Sequence, residues 1–139
     1  MSIYEELGVK PIINANGVKT RLSGCVMPPE VAQAMVEASQ QFVRIEELQY
    51  AAGRVIAEIM GAESGYVCTG AYAGLVLSIA ACITGLDPEK MNRLPNTEGL
   101  ANQVVMEKAH RNKYDHALEV AGGKIVEVGL AHGGQPGEM

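Results

Sequence analysis

The sequence lacks a surplus of positive charge, a paired set of cysteines and any apolar run long enough to cross a bilayer. Its 11 Lys and Arg face 16 Asp and Glu, a formal net charge of −5, so there is no basic footprint for DNA or RNA. Cys25, Cys68 and Cys82 are odd in number and form no CxxC pair, which excludes a disulfide framework and a structural zinc ribbon. They are read as reduced, buried thiols. The start, Met1-Ser2-Ile3-Tyr4-Glu5-Glu6, is acidic where a secretory signal is basic. The longest apolar stretch, Ala71 to Leu86, falls short of the roughly 20 residues of a transmembrane helix. These absences lead to an expectation of a soluble, cytoplasmic protein with no nucleic-acid and no membrane partner.

Familiar ligand motifs are missing as well. No Gly-Lys-Ser/Thr closes a nucleoside-triphosphate loop, no Gly-x-Gly-x-x-Gly marks a dinucleotide site and no HExxH marks a zinc hydrolase. No metal site is expected, because His110, His116 and His132 bring no further ligands at a suitable spacing. None of the lysines sits inside an apolar run that would depress its pKa and suit it to covalent cofactor chemistry.

What is present is one domain's worth of chain, 139 residues and 47% apolar. Residues 1–28 read as an N-terminal arm and an ordered loop: Lys10-Pro11-Ile12-Ile13 is extended, Asn14, Asn16 and Gly17 break it, and residues 18–27 show neither period. Pro28-Pro29-Glu30 opens a helix predicted to about Gln40, followed by a second from about Arg44 to Met60 with Gly61 past its end. A β-prone run, Gly65-Tyr66-Val67-Cys68, turns through Thr69-Gly70-Ala71 into the uncharged helix from Ala71 to Leu86, read as a buried core helix. Beyond Leu86-Asp87-Pro88 a polar passage to about Asn102 reads as disordered or as a surface excursion. A strand at 103–107, a helix at 114–121 and a strand at 124–128 then form a βαβ unit. The class is α/β with a mostly parallel sheet begun by three strands. A glycine-rich tail after the last strand leaves that sheet with an open edge, as in the N-terminal portion of a longer protein.

Chemistry concentrates at the Thr69-Gly70-Ala71 corner. Unpaired N–H groups at a helix start face an anion with the dipole in support, and a threonine hydroxyl adds a donor. The alternative is a plain turn with Thr69 as N-cap. His110 directly follows the strand at 103–107, at the sheet edge where open α/β folds bind ligands, and His116 lies six residues on. For each histidine a structural or surface role stands beside the functional one. Arg21, Arg44, Arg54, Arg93 and Arg111 are candidates for holding an anionic substrate; Arg54 within the second helix is read as solvated, and Arg21, in the irregular loop, stands out.

Gly8-Val9-Lys10-Pro11-Ile12-Ile13-Asn14-Ala15-Asn16-Gly17, Met27-Pro28-Pro29-Glu30-Val31, Glu47-Leu48-Gln49 with Ala52-Gly53-Arg54, Gly61-Ala62-Glu63, Cys68-Thr69-Gly70-Ala71 and His110-Arg111-Asn112-Lys113-Tyr114-Asp115-His116 occur in that order. As a series they resemble the N-terminal part of the selenocysteine-synthase-like pyridoxal-phosphate enzymes, the group of seryl-tRNA selenium transferase and D-glucosaminate-6-phosphate ammonia-lyase. The resemblance implies the aspartate-aminotransferase-like fold, fold type I of pyridoxal-phosphate enzymes, with residues 29–139 as an incomplete large domain, and a homo-oligomer. It also implies pyridoxal 5'-phosphate as cofactor, with Thr69, Gly70 and Ala71 on its phosphate, His110 and then His116 against its ring, and the segment holding Asn14 and Arg21 reaching the substrate. In this group the lysine that bonds the cofactor and the aspartate on the pyridine nitrogen lie beyond the span that these motifs cover, so the 139 residues read as an inactive fragment. The acidic composition and the start at Tyr4–Pro11 favour the small-molecule branch: α,β-elimination from a phosphorylated amino acid or amino-sugar acid. The alternatives are selenium transfer to seryl-tRNA and a non-catalytic protein that binds phosphate or supports subunit association.

Overall fold

A computed structural model describes residues 2–130, and the chain divides into two compact units, Met1–Leu48 and Gln49–Met139. In the first unit, α1 (Ile3–Glu6) opens on a capping box: the Ser2 hydroxyl accepts from the Glu5 N–H, and the Ser2 N–H donates to the Glu5 carboxylate. The irregular stretch at 18–27 is an ordered loop, as its lack of periodicity predicts. It is closed by a 3-10 turn at Thr20–Leu22, a Lys19–Gly24 bridge and a left-handed Ser23 with φ 64°. The second helix, α2 (Pro29–Ala38), carries proline in its first turn. Beyond it, α3 (Ile45–Met60) starts at the end of the first unit and carries most of its length into the second.

The second unit is built on β1 (Gln103–Glu107) and β2 (Lys124–Val128), a parallel pair in which Gln103 faces Lys124 and Glu107 faces Val128. Between them runs α6 (His116–Val120), so the predicted βαβ unit is present. Against it pack α4 (Ala71–Thr84) and, on α4, α5 (Pro88–Arg93). The core of the described residues lies where these helices meet: Ile83, Ala117, Leu118 and Ala121, with Ala57 buried on α3.

Four expectations change. The run Gly65–Cys68 joins no sheet among the described residues, and the described sheet has two strands rather than three. Among the described residues the main chain of Val67 is paired by the Gln49 side chain. Next, α4 is not a buried core helix: only Ile83 and Thr84 are buried on it, while Tyr72, Leu75 and Leu77 are exposed, since α5 and α6 are short and cover a limited part of its surface. The cysteines are free but not buried, with Cys25 and Cys82 exposed and Cys68 half-buried. Finally, of the two readings of the passage after Asp87, disorder is overturned and the surface excursion stands: it is ordered, with most of its residues exposed. Asp87 caps α5 through Oδ1 with Pro88 and Glu89 in the first turn, a helix-start signal readable in the sequence. The connection that follows is fastened by Thr97, whose hydroxyl donates to the Gly122 carbonyl at 2.9 Å and accepts from the Asn102 amide at 2.6 Å. No helix of the described residues is long and apolar enough to cross a membrane.

Candidate functional site

At the corner, Gly70 rather than Thr69 is the N-cap of α4, and among the described residues no side chain caps this helix. The plain turn with Thr69 as N-cap is therefore not the observed arrangement. The first main-chain bond into the helix runs from the Gly74 N–H to the Gly70 carbonyl at 3.0 Å, which leaves the N–H groups of Ala71, Tyr72 and Ala73 at the positive end of a 14-residue helix with no internal acceptor. Gly70 has φ 112° and ψ 172°, a conformation confined almost entirely to glycine. A methyl group built on it would meet no atom within 4 Å. Thr69 is exposed beside it. By charge and donor count such a helix start suits a small anion such as phosphate.

The corner is held from behind. The Cys68 thiol donates to the Gly70 carbonyl at 3.3 Å, and the missing side chain of Gly74 makes room for that sulfur. Tyr66, Cys68, Gly74, Leu77, Ser78 and Ala81 line a cavity of about 490 Å³ along the same side of α4.

The second cluster follows β1. His110 ends a 3-10 turn, Lys108–His110, and is exposed, with Nδ1 3.6 Å from Glu107 Oε2. The next residues are fixed tightly. Asn112 donates from its amide to the His110 carbonyl at 3.1 Å and accepts from the Tyr114 N–H at 2.9 Å. Asp115 Oδ2 accepts from the Asn112 N–H at 2.9 Å and from Arg111 Nε at 2.6 Å, and Arg111 also reaches Glu127 on β2 at 2.7 Å. The Asn112 N–H is the main influence holding the Asp115 carboxyl below its usual value, the Arg111 guanidinium adds to it, and partial burial opposes both. The result is a rigid connection that presents His110 at the C-terminal end of a parallel strand, where ligands of α/β proteins bind. Arg111, a sequence candidate for holding an anionic substrate, is instead engaged by the carboxylates of Asp115 and Glu127; the four-residue Arg111–Asp115 spacing was readable in the sequence, but the pairing was not drawn from it.

His116 begins α6 and points its Nδ1 at Glu119 Oε2, 3.0 Å away, with both side chains exposed. In the first unit, both polar ends of Asn14 are occupied locally, the amide donating to the Gly17 carbonyl at 2.8 Å and Oδ1 accepting from the Asn16 N–H at 2.9 Å. Asn14 also borders a cavity of about 680 Å³ with Tyr4, Ile12, Leu22 and Met27. Arg21 lies in the 3-10 turn and is exposed. His132 lies outside the described residues.

D-glucosaminate-6-phosphate ammonia lyase of Salmonella typhimurium (strain 14028s / SGSC 2262) is 39% identical over 135 residues. A solved structure of D-glucosaminate-6-phosphate ammonia-lyase superposes with a TM-score of 0.90 at 38% identity, over 94% of this chain. The chain is homologous to D-glucosaminate-6-phosphate ammonia lyase. The match covers 94% of this chain and 37% of the ammonia lyase, so the chain spans little more than a third of its relative. A 5'-C-glycyluridine monooxygenase-decarboxylase from Streptomyces sp is 37% identical over 134 residues, again over about a third (34%) of its length. No protein-family model matches the chain.

Proposed function

We propose that this chain supplies the phosphate seat and the ring contact of a pyridoxal-phosphate-dependent lyase of fold type I, with its parallel strands as the start of the aspartate-aminotransferase-like sheet. The observation that carries the reading is the uncapped start of α4, with Gly70 and three N–H groups that have no acceptor within the helix, in a chain homologous to the ammonia lyase. The N–H groups of Ala71, Tyr72 and Ala73, with the Thr69 hydroxyl, bind the cofactor phosphate. His110 lies against the pyridine ring, held by the Arg111–Asp115 connection. Pyridoxal phosphate, when bound, supplies the electron sink that lets a bond at the substrate Cα break. The substrate class is a phosphorylated amino acid or amino-sugar acid, the reaction an α,β-elimination releasing ammonia, and the working form a homo-oligomer. Arg21, exposed and positively charged, is the candidate for the substrate's anionic end.

The test is titration of the protein with pyridoxal 5'-phosphate, followed by phosphorus NMR. A bound phosphate resonance is expected, with affinity lowered about tenfold or more in Gly70→Ala, where the lost backbone geometry disperses the donors. A protein that leaves the free resonance unchanged overturns the reading.

The Streptomyces relative, similar to almost the same degree, supports a second reading in which the same seat serves an oxygen-dependent decarboxylation. Ammonia release from D-glucosaminate 6-phosphate favours the first. Carbon dioxide release from 5'-C-glycyluridine in air favours the second.

A further inference from the structure

The segment that delivers the corner, residues 65–68, has no strand partner among the described residues. Peptide groups in such a segment ordinarily pair with a neighbouring strand. Here the partner is a side chain. Gln49, half-buried near the start of α3, donates from Nε2 to the Val67 carbonyl at 2.6 Å and accepts at Oε1 from the Val67 N–H at 3.2 Å. A carboxamide is suited to this because it carries a donor and an acceptor side by side, as a peptide does; a carboxylate offers acceptors only and an ammonium donors only.

The bonds are part of a longer track. One turn along the same face of α3 is Gly53, and three residues further is Ile56. A methyl group built on Gly65 would come within 2.8 Å of the Gly53 carbonyl oxygen and 3.0 Å of Ile56 Cβ. The chain from Gly65 to Val67 therefore runs directly along the line of Gln49, Gly53 and Ile56. Val67 is followed by Cys68, whose thiol is bonded to the Gly70 carbonyl, and that carbonyl accepts the first bond of α4. Between the Gln49 amide and the N–H groups of Ala71–Ala73 there is thus a short, continuous series of bonded groups.

We propose that Gln49 is a positioning residue for the phosphate seat: its carboxamide pairs with both main-chain groups of Val67 and so fixes where the Thr69–Ala71 corner points. This rests on the phosphate-site reading above. Donors that bind a phosphate must be held to within about half an ångström to be effective, and the segment before the corner has no other main-chain tether among the described residues.

The experiment compares wild type, Gln49→Ala, Gln49→Glu and, as a control, Thr97→Val, which breaks a different side-chain link to the main chain. Two readouts are taken on the full chain: affinity for pyridoxal 5'-phosphate by phosphorus NMR, and exchange rates and shifts of the Val67 and Gly70–Ala73 amides without ligand. Loss of both bonds in Gln49→Ala is expected to weaken binding about tenfold, to speed exchange at Val67 and to move the Gly70–Ala73 resonances. Gln49→Glu keeps the bond from the Val67 N–H and sets an oxygen against the Val67 carbonyl, so Val67 stays protected while the corner still moves; it also decides the matter if Gln49→Ala does not fold. Thr97→Val is expected to lose stability with affinity and corner resonances unchanged. Wild-type affinity and corner resonances in the folded Gln49 variants overturn the proposal. If wild type itself binds no cofactor, the phosphate reading fails and the amides decide for Gln49: movement of Gly70–Ala73 in its variants alone upholds the positioning role, and no movement removes it.

Discussion

Arg111 and Asp115 are joined by a 2.6 Å bond from the guanidinium Nε to Oδ2, and the Asp115 side chain is only 7% exposed. That single carboxylate oxygen also accepts the Asn112 N–H, so one atom ties the turn after His110 to the helix that returns the chain to β2. Glu127, on β2, takes the other side of the guanidinium. The connection between the two strands is thus closed by charge as well as by packing.

Acid should open it. Asp115 is held below its ordinary value of 3.8, and a carboxyl depressed by folding stabilises the folded state above its unfolded pKa and loses that contribution as pH falls through the folded one. Asp87, depressed chiefly by the Lys90 N–H at the start of α5, behaves in the same sense. Melting temperature is expected to fall as pH drops below about 4, and to fall less steeply in Asp115→Asn with Asp87→Asn. Thermal melts between neutral and acid pH check this, and equal slopes in the two proteins would count against it.

The sequence carries most of this organisation, and the gaps have physical causes. The βαβ unit was legible because both its strands are short apolar runs bounded by polar turns, and the helices because Pro28-Pro29-Glu30 and Gly61 mark their ends. The Thr69–Ala71 corner was legible as a strand-to-helix turn, yet its cap was not, since Thr69 and Gly70 are both common at that position. The role of Gln49 could not be read because its partner is 18 residues away, and no periodicity marks a side chain that pairs with a distant main-chain group. Exposure of α4 was equally hidden: an uncharged helix says what it would bury, not what is there to cover it.

Gly53→Ala is expected to destabilise the protein despite its place inside a helix. Alanine ordinarily gains about 1 kcal/mol over glycine there. At Gly53 the new methyl would press into the Gly65 carbonyl, a main-chain group with no rotamer to move, and overpacking costs about 1–3 kcal/mol. The clash outweighs the gain, so a net loss of up to about 2 kcal/mol is expected in urea unfolding. Gly61→Ala, where φ is 63° and a methyl group meets nothing within 4 Å, is expected to cost about 1 kcal/mol through backbone strain alone.

Thr97 and Gly122 form a second lock. Gly122 has φ 91°, and a side chain there would run into the Pro95 carbonyl and Thr97 Cγ2, so Gly122→Ala combines backbone strain with a clash and is expected to cost more than about 2 kcal/mol. Thr97→Val keeps the shape but removes the hydroxyl donor from the Gly122 carbonyl, which keeps the Asn102 amide at 3.2 Å, a loss of about 0.5–1.5 kcal/mol. Because the two residues touch, the double variant is expected to cost less than the sum of the singles. Denaturant curves on all four proteins measure the coupling, and strict additivity would argue that the hydroxyl bond carries no weight.

The two histidines are expected to part company. His110 ends the turn after β1 with its carbonyl held by Asn112, whereas His116 is exposed on the first turn of α6 and already faces Glu119 at 3.0 Å. If His110 offers a flat face to the pyridine ring, phenylalanine should serve in its place and alanine should not, because the contact depends on an aromatic surface. His110→Ala is expected to weaken pyridoxal 5'-phosphate binding about tenfold, with His110→Phe within about threefold of wild type. His116→Ala should leave affinity unchanged. Dissociation constants from the change in cofactor absorbance distinguish the cases, and equal losses at His110 and His116 would move the ring contact away from the end of β1.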